Sequence, residues 1–74
     1  MTVDYRRMGK RIKEIRKQSN MTQAALAERT EMSDGYISRV ERGVQKASLG
    51  SLIKISRVLD TSLDDLVFGY KKSG

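Results

Sequence analysis

Gly35, Ser38, Arg39 and Arg42 stand at positions i, i+3, i+4 and i+7, the spacing that lines one face of an α-helix. Ile37 and Val40 fall on the opposite face, with Glu41 beside them. The first face therefore offers a hydroxyl and two guanidinium groups, with neither a carboxylate nor a bulky side chain. A helix dressed in this way can enter the major groove of a DNA duplex, about 12 Å wide, where a guanidinium pairs in bidentate fashion with O6 and N7 of guanine. Taken alone, the two arginines read equally well as solvated surface charge. The elements around them decide for contact with DNA.

Those elements are helices marked by caps. Ser33 caps the helix from Asp34 to about Arg42, with Asp34 favourably placed in its first turn and Gly43 ending it. Just upstream, Thr22 caps a short helix from Gln23 to about Arg29, with Ala24, Leu26 and Ala27 as its buried candidates. Thr30, Glu31 and Met32 connect the two. Residues 22–43, TQAALAERTEMSDGYISRVERG, thus form a helix-turn-helix pattern. Before it, Tyr5, Met8, Ile12, Ile15 and Ser19 recur at three- and four-residue steps, predicting a helix over residues 4–18 that stops at Asn20. Gly9 inside that helix implies close packing against a neighbour. After a loop over residues 44–47, Ser48 caps a helix from Leu49 to Leu59 whose apolar set is Leu49, Leu52, Ile53, Ile55, Ser56, Val58 and Leu59. Ser62 and Asp65 form a capping box that opens a last short helix carrying Leu63, Leu66, Val67 and Phe68. Strand signals, internal repeats and linkers are lacking. The expectation is one all-α domain of five helices over residues 1–74, its core at about 4–68 and a flexible tail at 69–74.

Composition narrows the chemistry. The 74 residues include no Cys, no His and no Pro. Disulfides, iron–sulfur clusters, thiolate or imidazole metal sites and His-dependent catalytic triads are thereby excluded. The polar residues are accounted for by caps, helix faces and one ion pair, so no catalytic set converges and no enzyme, cofactor, metal or small-molecule ligand is expected. Lys plus Arg number 15 against 9 Asp plus Glu, a net charge of +6, which favours a phosphate-bearing partner. The excess is local: Arg6, Arg7, Lys10, Arg11, Lys13, Arg16 and Lys17 crowd the first helix against Asp4 and Glu14. No apolar run approaches the ~20 residues of a membrane span, and no signal-peptide core follows the N-terminus. A soluble, cytoplasmic protein is expected.

Three blocks in order, GKRIKEIRKQSNMTQAALAE, SDGYISRVERG and SLGSLIKISRVLDTSLDDLVFG, resemble the lambda-repressor-like, Cro/C1-type helix-turn-helix regulators of the XRE family over about residues 8–68. The resemblance implies a compact five-helix domain with the second and third helices as its reading head. It also implies a sequence-specific, double-stranded-DNA-binding transcriptional regulator, a repressor, that meets a palindromic operator as a homodimer. By the same resemblance Gln23 anchors a phosphate at a helix N-terminus, and Thr22 adds a phosphate contact to its cap. Ser33, Asp34, Gly35, Ser38 and Arg39 face bases or adjacent phosphates, Tyr36 belongs to the same DNA-facing set, and Arg42 and Lys46 meet the backbone. Arg16 matches the position that pairs with Glu41, which implies a partly buried salt bridge.

Some positions depart from the family pattern. Glu31 stands where the turn usually has Gly, Asp60 replaces a Gly after the fourth helix, and Ala47 stands where Pro is common. Gly35 reduces direct reading at its own position, and Asp34 is expected to serve the helix N-terminus rather than a cytosine. Val44, Leu59, Phe68 and Tyr70 are candidates for the pairing surface. An alternative reading is a protein-interaction module, such as an antitoxin or adaptor, that keeps the fold without strong DNA binding; Glu31 and Gly35 favour it. Membrane-surface binding by the basic first helix ranks last, because its apolar stripe is needed by the core.

Overall fold

Every helix starts on a side-chain oxygen that accepts an otherwise orphaned backbone N–H. Asp4 accepts from Arg6 and Arg7 at 3.1 Å, Thr22 from Ala25 at 3.0 Å, Ser33 from Tyr36 at 3.1 Å, Ser48 from Ser51 at 3.1 Å and Ser62 from Asp65 at 3.0 Å. In the computed structural model, which describes residues 3–69, these caps open α1 (Tyr5–Gln18), α2 (Gln23–Thr30), α3 (Asp34–Arg42), α4 (Leu49–Val58) and α5 (Leu63–Phe68). The described residues contain no strand. Asp4 is the cap of α1 rather than its first residue, and of the expected tail only Gly69, the C-cap of α5, lies among the described residues.

The helices end in left-handed residues. Gly43 and Gly69 have φ of 75° and 71°, and Asn20, Glu31 and Asp60 adopt φ of 55°, 58° and 53° without being glycine. At Glu31 the helix-turn-helix connection therefore keeps its geometry and accepts a local cost of ~1–2 kcal/mol. The turn is held by the Met32 N–H donating to the Ala27 carbonyl at 2.8 Å.

Met8, Ile12, Leu26, Ala27, Ile37, Val40, Leu52, Ile55, Leu59 and Leu66 form one core drawn from all five helices and the end of α4. α3 packs on both α1 and α2, α4 packs on α2 and α5, and α1 also touches α5. The α1–α3 crossing is tight at Gly9. A Cβ there would fall on the backbone carbonyls of Val40 and Glu41, 2.5 Å from the Glu41 oxygen. Arg11 closes the other side of α1: its Nε donates to the Leu66 carbonyl at 3.1 Å and a terminal nitrogen donates to the Val67 carbonyl. It thereby satisfies acceptors at the end of α5 that the helix itself leaves open.

Four expectations are corrected. Thr30 belongs to α2 rather than to the connection, and it is buried, its hydroxyl donating to the Leu26 carbonyl at 2.7 Å. Ala24 is exposed, so Thr30 takes the inward place on α2. Leu49 is 64% exposed, because the first turn of α4 projects beyond the core. Leu59 is 5% exposed and packs inside the domain, which removes it from the pairing surface; Val44 and Phe68 remain on the outside at 63% and 37%, and Tyr70 lies outside the described residues.

Candidate nucleic-acid interface

The inner side of α3 is locked by charge as well as by Ile37 and Val40. Glu41 projects inward, its side chain 2% exposed, and faces Arg16 of α1 at 8%. Arg16 Nε donates to Glu41 Oε2 at 2.7 Å and Nη2 donates to Oε1 at 3.1 Å, a bidentate pair. The remaining Arg16 nitrogen, Nη1, donates to the Met21 carbonyl at 2.8 Å. Gln23 Nε2 donates to Glu41 Oε1 at 2.9 Å. The Glu41 carboxylate thus ties α1 and the start of α2 to the end of α3, and its partner Arg16 adds the α1–α2 turn. No buried side-chain nitrogen or oxygen among the described residues lacks a partner, which is the condition under which a buried ion pair is tolerated.

With the inner face held, the outer face is determined. Gly35, Arg39 and Arg42 are exposed and Ser38 is half-buried at its edge. Ser33 and Asp34 sit exposed at the tip of the helix, where the Asp34 carboxylate complements the helix N-terminus. Lys46 is exposed in the following loop, its ammonium 5.7 Å from the Tyr5 ring centroid, a cation–π distance. The carboxylate nearest this face in sequence, Glu41, is neutralised inside, so Arg39, Arg42 and Lys46 present net positive charge.

Two of the expected residues sit differently from a simple surface contact. Gln23 is half-buried, and its amide is engaged by Glu41 rather than lying free in solvent. Tyr36 is half-buried against the core, and its hydroxyl donates to Ser51 Oγ at 3.2 Å. Ser48 Oγ donates to the same Ser51 oxygen at 2.9 Å. These hydroxyls link the start of α3 to the start of α4 across a shallow cleft of about 400 Å³ lined by Met32, Ser33, Tyr36, Ser48 and Ser51. Thr22 is exposed and its hydroxyl is committed to the α2 cap. Two residues absent from the expected set also enter. Ser51 is one, and Gln45, whose Oε1 accepts from Arg39 Nε at 3.4 Å, is the other. Neither stands at a position that helical periodicity would flag. No group of three acidic, His or Cys residues able to hold a metal ion occurs among the described residues.

A short capped helix packed across a second one, with Gly35, Ser38, Arg39 and Arg42 turned outward, defines a helix-turn-helix DNA-binding domain. A profile of the helix-turn-helix family matches residues 12–66. Control protein C.BamHI of Bacillus amyloliquefaciens is 38% identical over 60 residues, which make up 80% of this chain and 74% of that protein. The HTH-type transcriptional regulator SinR of Bacillus subtilis is 38% identical over 61 residues, 81% of this chain and 55% of SinR, so the chain spans about half the length of that relative. The solved structure of the P22 c2 repressor with a synthetic operator superposes with a TM-score of 0.82 at 35% identity, covering 85% of this chain and 96% of that one. The chain belongs to the lambda-repressor-like, Cro/C1-type (XRE) helix-turn-helix family of DNA-binding transcriptional regulators.

Proposed function

We propose that residues 1–74 act as one DNA-binding domain, working in the cytoplasm, that represses transcription by binding a palindromic operator as a homodimer. α3 lies in the major groove. Ser33, Gly35, Ser38 and Arg39 face base edges or the phosphates beside them, with Asp34 serving the helix N-terminus. Thr22, Gln23, Tyr36, Arg42 and Lys46 meet the backbone. The observation that carries this reading is the outward ridge of α3: exposed guanidinium groups on a helix whose only inward carboxylate is consumed by Arg16. Gln23 keeps one amide N–H and its carbonyl beyond the bond to Glu41, so a phosphate contact there is made by a side chain already held in place.

Two copies would set their reading helices one DNA turn apart, about 34–36 Å. The antitoxin or adaptor alternative is the less favoured: the relatives are regulators and one is bound to an operator, and Glu31, counted in its favour, leaves the turn intact. Selection from random duplexes followed by sequencing tests the proposal. A palindromic product is expected, with affinity falling on a log–log salt plot by about 0.9 per phosphate neutralised. A pool with no enriched sequence at low salt overturns it.

A further inference from the structure

Resting on the operator-binding reading, we propose that Gly35 and Gln45 are positioning residues that seat the Arg39 guanidinium for base recognition. The side chain of Arg39 leans toward the helix N-terminus, as long side chains on helices do, and it is exposed. Its Nη1 lies 3.2 Å from the point that a Cβ on Gly35 would occupy, one turn back. Its Nε donates to Gln45 Oε1 at 3.4 Å, and Gln45 Nε2 donates to the Lys46 carbonyl at 3.3 Å. The loop that carries Gln45 is itself anchored on α3, because the Val44 N–H donates to the Arg39 carbonyl at 3.1 Å. The guanidinium is therefore met at Nε by an amide oxygen, through one long bond, while Nη1 sits beside the place where residue 35 lacks a Cβ.

The arrangement matters because of how arginine reads guanine. A free arginine has several rotatable bonds and loses that freedom when it forms a planar, bidentate pair. A guanidinium already held by Nε keeps its terminal N–H groups available and loses less on binding. Gln45 is suited to this task because its amide oxygen accepts without adding a negative charge beside phosphate. Gly35 is suited because a Cβ there would stand 3.2 Å from Nη1 and displace the guanidinium by a few tenths of an ångström. What counts as the absence of a reading side chain at residue 35 is, in this geometry, the space in which the reader at residue 39 lies.

The experiment compares sequence pools selected from random duplexes by the wild-type chain and by Arg39→Ala, Gln45→Ala, Gly35→Ala and Arg39→Ala/Gln45→Ala, with thermal melts of each. Arg39→Ala should erase preference at one base of each half-site by about 5- to 150-fold. Gln45→Ala and Gly35→Ala should flatten that same base by at least about threefold and leave the other positions of the motif legible. In the Arg39→Ala background, Gln45→Ala should change nothing further at that base. Gly35→Ala should raise the melting temperature, since Ala is the better helix former, so preference and stability move in opposite directions, which a merely structural role would not produce. Unchanged preference in both single variants, loss at a different base, or an additive double variant overturns the positioning role while operator binding stands. A wild-type pool without any enriched sequence removes the operator-binding reading and this one with it.

Discussion

Truncating Glu41 to Ala strands a charge. Arg16 would keep only its bond to the Met21 carbonyl at 2.8 Å and lose both partners of the bidentate pair, at 2.7 Å and 3.1 Å, while its side chain stays 8% exposed. Removing one member of a buried ion pair costs about 3–5 kcal/mol, mostly for the uncompensated charge left behind. At roughly 0.05–0.15 kcal/mol per residue, a domain of this length has a total stability of about 4–11 kcal/mol. The variant should therefore lose roughly a quarter or more of its stability. Its melting temperature should fall by roughly 12–40 °C, at about 4–8 °C per kcal/mol for a domain of this size. The contrast comes from Arg16→Met/Glu41→Leu, which replaces both charges with apolar groups of similar length. It should recover most of what either truncation loses, because an apolar pair in such a site is about as stable as the ion pair or more so. Urea titrations followed by far-UV circular dichroism measure Glu41→Ala, Arg16→Ala and the double variant. A loss below about 1 kcal/mol in Glu41→Ala, or a double variant no more stable than the worse single, would refute the assignment of this pair as the clamp between α1 and α3.

Gly9→Ala should destabilise by about 1–3 kcal/mol through overpacking against the Val40 and Glu41 carbonyls, even though Ala favours a helix by ~1 kcal/mol in the absence of that contact; urea midpoints read the sign. Glu31→Gly should stabilise by up to ~1 kcal/mol, because φ at 58° strains any side-chain-bearing residue more than the entropy of glycine costs; an unchanged or lowered midpoint would contradict the strain. Arg42→Ala should weaken binding to every duplex alike and reduce the log–log salt slope by about 0.9, whereas a change confined to one base position would move Arg42 from the backbone to the reading set.

Local signals in the sequence were sufficient for the five helices, since each cap acts within three residues of the group it satisfies: Thr22 on Ala25, Ser33 on Tyr36, Ser48 on Ser51, Ser62 on Asp65. The outward ridge of α3 was legible for the same reason, because 3.6-residue periodicity separates Arg39 and Arg42 from Ile37 and Val40 whatever the rest of the chain does. The Arg16–Glu41 pairing came from family resemblance, since 25 residues separate the partners and no local rule joins them. Only the tertiary structure decided that Thr30 turns inward while Ala24 and Leu49 face solvent, that Leu59 is core, and that Arg11 reaches 55 residues along the chain to cap α5. It also decided that Gln23 is held by Glu41 and Arg39 by Gln45. Periodicity gives each helix an apolar side, but which residues at its margins are covered, and which polar ends meet across the gap, depends on where the neighbouring helices lie.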